Sequence, residues 1–196
     1  MCAVTRRDPE LRQKILGVTR QAIIENGINN TSLAEIARLA GISKGTLFYY
    51  YATKSDLIFD VTDQHFQQTT HRLNDWVDQV HSEVEAREIL SVVFHSIVED
   101  ELRGKLHHYL IEQAITENGN LKERFAEKYQ EWLGVLAKGL SRIFPPTIDR
   151  ETLTYIIITC LDGLVIQSIL GTKQVPIEPV VAYLADSAAR FSAQAN

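Results

Sequence analysis

The stretch GISKGTLFYYYATKSDL, residues 41–57, gathers side chains suited to meeting a polyanion. Lys44 and Lys54 supply cations, Ser43 and Thr46 hydroxyls, and Gly45 a bare backbone. Residues 48–51 are four consecutive aromatics in a chain with only seven Phe, seven Tyr and two Trp. At a helix start, Lys44 can reach guanine acceptors or a phosphate, and the Thr46 methyl can meet a thymine methyl. Gly45 lets backbone come close, and unpaired amides at a helix N-terminus attract phosphate. Leu47 and Tyr51, four apart, are expected to point inward with Ile42. Tyr49 and Tyr50 are expected on the outer side, each offering a flat ring and a hydroxyl to phosphate. The run would then both hold a very small domain together and touch a nucleic-acid backbone.

Helices must position these groups. DPELRQKILGVTRQAIIENG (8–27) reads as one, with Asp8 as N-cap, Pro9 in the first turn and Gly27 as the stop. Its apolar stripe is Leu11, Ile15, Val18 and Ala22. A second, short helix begins where Ser32 and Glu35 can form a capping box, each satisfying the other's backbone donor, and ends at Gly41. Leu33, Ile36, Ala37 and Ala40 face inward. Ser43 can cap a third helix over 44–50, and Thr53 with Asp56 repeats the pattern for a long fourth helix towards Val80. Two short helices joined by AGIS form a helix-turn-helix pattern, whose second helix presents its N-terminal residues to base edges in the major groove. The same geometry also serves proteins that never touch DNA.

Composition bounds the remainder. The 196 residues are 45% hydrophobic and 23% charged, an ordinary globular balance for one moderate domain or a small module fused to a larger one. Net charge is −5, which by itself argues against nucleic acid. Residues 1–57, however, hold eight Lys/Arg against five Asp/Glu, and residues 58–196 hold twelve against twenty. A basic head on an acidic body suggests that only the head meets a polyanion. Cys2 and Cys160 are too few and too far apart for a disulfide framework, which points to a reducing, cytoplasmic setting. MCAVTRRDPE lacks the apolar core of a signal peptide. The most apolar stretch, 152–171, contains Asp162 and Gln167, so a buried helix is expected rather than a membrane span. His107 and His108 are adjacent and point to different sides of a helix, His65 and His71 share no face, and His95 is alone. No metal site or cofactor is expected.

The body continues as helices expected over 86–102, 105–118, 120–142, 150–170 and 179–193, with FPPT (144–147) as a firm breaker. Leu121, Phe125, Tyr129, Trp132, Leu136 and Leu140 recur at steps of three or four. TYIIITC is locally strand-like, but its length and context decide for helix. The fold class is all-α, about nine helices. A helix-turn-helix unit at 1–53 precedes a larger helical unit at 54–196.

TSLAEIARLAGISKGTLFYYYATKSDL (31–57) resembles the DNA-binding segment of the TetR family of bacterial transcriptional regulators: a threonine or serine, an Ile-Ala pair, a Gly-Ile-Ser turn, Gly-Thr-Leu before an aromatic run, then Lys-x-x-Leu. LDGLVIQSILG (161–171) also looks like that family's penultimate helix. The resemblance implies base or groove contacts from Ser43, Lys44, Gly45, Thr46 and Tyr49, and phosphate contacts from Thr31 or Ser32, Tyr50 and Lys54. Phe48 departs from the usual tyrosine and loses a hydroxyl. Tyr51 stands where phenylalanine is usual, and its buried hydroxyl needs a partner. The resemblance further implies a homodimer on a palindromic stretch of double-stranded DNA, paired through the last two helices, with a small-molecule effector in the body. Gly163, Gln167, Leu170, Ala182, Ala185 and Ala189 are the candidate dimer residues. Phe66, Phe94, Tyr109, Gln113, Trp132 and Tyr155 are the candidate pocket residues, with plain core as the alternative for each. The expected function is a ligand-responsive regulator, most often a repressor in this family, and not an enzyme. Two rivals stay open: an all-helical small-molecule enzyme, although no nucleophile elbow or phosphate-binding glycine loop is present, and an adaptor whose helix-turn-helix meets a protein.

Overall fold

The computed structural model describes residues 8–79, 84–116 and 119–194, apart from the side chains at 77, 78, 189 and 191–194. Cys2, Val80 and the side chain of Ala189 therefore lie outside the described residues. Among those described, nine α-helices and no strand are present: α1 (Pro9–Asn26), α2 (Leu33–Ala40), α3 (Lys44–Tyr50), α4 (Lys54–Gln79), α5 (Ala86–Val98), α6 (Glu101–Thr116), α7 (Gly119–Ile143), α8 (Arg150–Ile169) and α9 (Ile177–Gln194). The strand-like TYIIITC lies within α8.

Local chemistry sets these boundaries. The Asp8 carboxylate accepts from the Glu10 amide at 2.9 Å, Ser32 Oγ from the Glu35 amide at 3.2 Å, and Ser43 Oγ from the Thr46 amide at 3.0 Å. Gly41 ends α2 in the left-handed region, φ 68° and ψ 32°, where a Cβ is strained. This turn sets α3 across α2. At α4 the Asp56 amide donates to Thr53 Oγ1 at 3.0 Å, and that hydroxyl donates to Asp56 Oδ2 at 2.8 Å. Only half of the expected box forms at Ser32, because the Glu35 carboxylate turns outward to accept from Arg38 Nε and Nη2 at 2.9 and 2.6 Å. The expected helix over 86–102 is also corrected. It ends at Val98, and Asp100 Oδ1 caps the next helix by accepting from the Arg103 amide at 3.0 Å. Apolar periodicity runs through that break, so the pattern alone did not reveal the cap.

Packing divides into two clusters. The first joins Ile15, Leu16, Ile36, Leu47 and Tyr51 of the head region to Leu57 and Ile58 of α4, Leu106 and Leu110 of α6, and Leu121 and Phe125 of α7. The second joins Leu90, Phe94 and Val98 of α5 to the end of α7 and to α8 and α9. The first cluster thus crosses the chain division at 53/54. Close approach of α6 and α8 depends on Gly104, where a Cβ would lie 2.9 Å from Ile169 Cγ2 and 3.0 Å from Val165 Cγ1.

Candidate nucleic-acid interface and internal cavity

Ser43, Lys44 and Gly45 are exposed at the start of α3, and Thr46 is half-buried behind them. Ser43 Oγ lies 2.8 Å from Thr46 Oγ1, so the two hydroxyls hold each other and fix the first turn. Phe48 and Tyr49 are both exposed, while Leu47, Tyr50 and Tyr51 are buried. The outward placement expected of Tyr50 is therefore corrected. Its hydroxyl accepts from the Asp8 amide at 2.9 Å, tying the end of α3 to the start of α1, and its ring meets Tyr49 edge-on at 5.6 Å. Thr31 is likewise buried, donating to the Gly27 carbonyl at 2.9 Å, which leaves the exposed Ser32 as the hydroxyl at the surface. The Lys54 ammonium is also spent internally: it donates to the Ile28 carbonyl and lies 6.0 Å from the centre of the Tyr109 ring. Phe48 joins the exposed α3 surface that the residue types had left to its neighbours.

The hydroxyl of Tyr51 has the partner that burial demands. It donates to Asp60 Oδ2 at 3.1 Å, where Arg12 Nη2 also donates at 2.6 Å. Burial, reinforced by the charge of Asp60, pushes the Tyr51 phenol well above its ordinary value, so it stays a donor. Asp60 Oδ1 accepts from Arg124 Nη2 at 2.9 Å, and Arg124 Nη1 reaches Asp56 Oδ1 at 3.2 Å with its guanidinium 3.9 Å from the Phe59 ring centre. One carboxylate on α4 thereby joins α1, the end of α3 and α7.

Under two turns further along α4, Phe66 lines a half-open cavity of about 150 Å³ formed with α5, α6, α7 and α8. Of the six pocket candidates, Phe66 and Trp132 line it, their rings 4.8 Å apart. The other four do not. Phe94 is fully buried in the second cluster. Tyr109 borders a separate open cleft between the end of α1 and α6, and Gln113 lies outside the lining. Positions 109 and 113 are turned away from the cavity-lining positions 103 and 107 by the helical step of about 100° per residue. Tyr155 is exposed on the outer side of α8.

The polar end of the cavity was not anticipated. Arg103, His107 and Asp162 line it. Tyr129 donates to Asp162 Oδ2 at 3.0 Å, and its hydroxyl lies 3.4 Å from His107 Nε2. Burial, with the positive charge of Arg103, pushes His107 down to about 3, so the ring is neutral. Burial also pushes the Asp162 carboxyl up, although the Tyr129 hydroxyl works against this. A carboxylate inside so apolar a segment was a usable signal, because it must face something polar. The four-residue step from Arg103 to His107 was visible too, but not what it faced.

On the far side of α8, Tyr155, Ile156, Ile166 and Leu170 form an exposed apolar face, and Tyr183 of α9 is also exposed. Leu170 and Tyr183 are 73% and 74% accessible. Gly163, Gln167 and Ala182 are half-buried, whereas Ala185 faces inward and packs in the second cluster. By length and a mean hydropathy of 1.6, α8 could cross a membrane, yet Leu153, Ile157, Leu161 and Leu164 are buried in the protein.

Residues 15–61 match the family model described as bacterial regulatory proteins, tetR family. Over 51 residues the chain is 43% identical to the HTH-type transcriptional regulator QacR of Staphylococcus aureus, covering 26% of this chain and 27% of that one. The first curated relatives are matched over only a quarter to a half of their length. In structure the chain resembles a TetR-family transcriptional regulator from Mesorhizobium loti, with TM-score 0.68, 18% identity and coverage of 96% of this chain and 98% of that one. It also resembles the transcriptional regulator FadR from Bacillus subtilis in complex with stearoyl-CoA, with TM-score 0.63, 18% identity and coverage of 89% and 95%. At such identities the likeness is one of fold.

Proposed function

The chain belongs to the tetR family of bacterial regulatory proteins, and from that premise we propose that it is a ligand-responsive, sequence-specific DNA-binding transcriptional regulator. It acts as a repressor, released from a palindromic operator when a small molecule enters the cavity lined by Phe66 and Trp132. The observation that carries this reading is the continuity of α4: Asp60 holds the helix-turn-helix while Phe66, on the same helix, lines the cavity. A guest that pushes Phe66 outward tilts the lever on which α3 is mounted.

Ser43, Lys44, Gly45, Thr46 and Tyr49 read the groove, with Phe48 beside them, and Ser32 meets phosphate. Tyr50 and Thr31 act by holding the head together, and Lys54 reaches phosphate only if it leaves Ile28. The apolar face of α8, with Gly163, Gln167 and Leu170, joins Ala182 and Tyr183 of α9 in pairing with a second copy. Two-fold pairing then sets half-sites one or more helical turns apart. FadR, a regulator of this fold, is known with stearoyl-CoA bound, which supports a ligand site in such a body.

A difference of about 1–3 kcal/mol in effector affinity between free and operator-bound protein suffices to change occupancy severalfold or more. Selection from random DNA duplexes with the purified protein should enrich one palindrome. Binding should weaken steeply as salt rises, because phosphate contacts release counterions. A folded dimer, stripped of co-purified small molecules, that enriches no sequence would refute the proposal.

A further inference from the structure

Two buried donors on residues that line the cavity lack an acceptor. Arg103 Nη2 donates to the Ile97 carbonyl at 2.7 Å, but Arg103 Nε is buried and meets no acceptor. No carboxylate among the described residues forms an ion pair with this guanidinium. Asp100 is engaged with His65 and the Arg103 amide, and Asp162 acts on the guanidinium only at a distance. Trp132 Nε1 is a second buried donor with no acceptor. Arg103 and His107 stand one turn apart on α6, and the His107 and Trp132 rings are 5.5 Å apart, so these groups belong to one end of the cavity. Asp162 already accepts from Tyr129, so the acceptor side is served. Unpaired buried donors are destabilising, and charge-assisted hydrogen bonds are the strongest means of satisfying them. Away from this end the lining is mostly apolar, including Phe66, Val93, Leu136 and Ile158, with Thr70 and Asn74 of α4 as the polar exceptions. A volume of about 150 Å³ is that of a site able to hold benzene.

We propose that the effector is an apolar monocarboxylate, a single-ring aromatic acid or a medium-length acyl acid, whose carboxylate accepts from Arg103 Nε and Trp132 Nε1. This inference rests on the reading of the cavity as the effector site. Neither donor is open to solvent without a guest, so binding the carboxylate requires the Arg103 and Trp132 side chains to shift. That movement carries Phe66, which is in ring contact with Trp132, and so reaches α4.

The test is calorimetric titration of the full-length protein with phenylacetate and octanoate. Matched titrations use 2-phenylethanol and octanol, then 2-phenylethylammonium and octylammonium. The carboxylates should bind at least about tenfold more tightly than the alcohols, with the ammonium ions weakest. Arg103→Gln should abolish the preference for carboxylate over alcohol, and Trp132→Phe, which keeps a ring but removes the donor, should reduce it. Folding of each variant is checked by thermal unfolding, and if Arg103→Gln does not fold, Trp132→Phe decides. Equal or tighter binding of the alcohols or ammonium ions would overturn the proposal. So would a carboxylate preference that survives in folded Arg103→Gln or is undiminished in folded Trp132→Phe, or no carboxylate binding at all. Operator binding is measured in parallel on the same samples. Carboxylate binding that leaves the operator complex intact overturns the regulatory reading and keeps the site. Operator release by an ammonium ion overturns the ligand class alone.

Discussion

Asp60→Asn tests the joint between head and body. The asparagine oxygen can still serve Arg12 and Tyr51, which both donate to Oδ2, but its amide nitrogen then faces Arg124 Nη2, now 2.9 Å from Oδ1. One charged hydrogen bond is lost outright, for which about 1.5–3 kcal/mol is typical. A second weakens as the charge on the acceptor disappears. Solvent screens part of this, because the Arg12 and Arg124 side chains are 42% and 31% accessible. A net loss of about 2–3 kcal/mol follows, below the range for breaking a fully buried pair. For a chain of this length that lowers Tm by roughly 5–10 °C. Thermal unfolding followed by circular dichroism measures it, with Glu35→Gln at the exposed Arg38 pair as a control expected to leave Tm unchanged. Arg124→Gln combined with Asp60→Asn should cost less than the two separately, because both remove the same contact. A shift under about 2 °C for Asp60→Asn, or strict additivity in the double variant, would refute the view that this carboxylate fastens the head.

Lys44→Ala should weaken operator binding and reduce discrimination among sequences, whereas Tyr50→Phe should cost about 1 kcal/mol of stability through the lost Asp8 contact and leave sequence preference unchanged, as competition binding and unfolding on the same samples would reveal. Leu170→Asp should leave the fold intact, since the side chain is exposed, and convert a dimer to monomers in sedimentation. His107 contributes a pH dependence of defined sign. Its folded value of about 3 lies below the unfolded 6.5, so its contribution is fully present above pH 6.5 and is lost as pH falls towards 3. Within that window it adds a slope approaching about 1.4 kcal/mol per pH unit. His107→Gln should remove this slope from denaturant-derived stabilities measured between pH 4 and 7; an unchanged slope would refute the buried neutral ring.

Local signals in the chain were sufficient for the helices of the head. Asp8, Ser32, Ser43 and Thr53 act through atoms no more than three residues away, and the Gly41 turn depends on one residue's own backbone freedom. Leu47 and Tyr51 were legible as inward-facing because a four-residue step on a short helix leaves them one side to share. Tyr50 was not, because its burial depends on Asp8, forty-two residues away, which closes over its hydroxyl.

The cavity shows the same limit more strongly. Periodicity marked Trp132 and Phe66 as members of apolar stripes, but a stripe residue lines a void or fills a core according to the helices opposite it. Phe94 met α8 and α9 and became core, while the neighbouring Val93 met open space. Arg103 sits at that void because Gly104 lets α6 lie against α8, a contact made by Val165 and Ile169 from more than sixty residues away. Sequence determined the helices and caps of the head and the chemistry available on α3, since each depends on neighbours along the chain. Tertiary structure decided which polar groups were spent on one another and which donors were left waiting, since that depends on partners brought together only by packing.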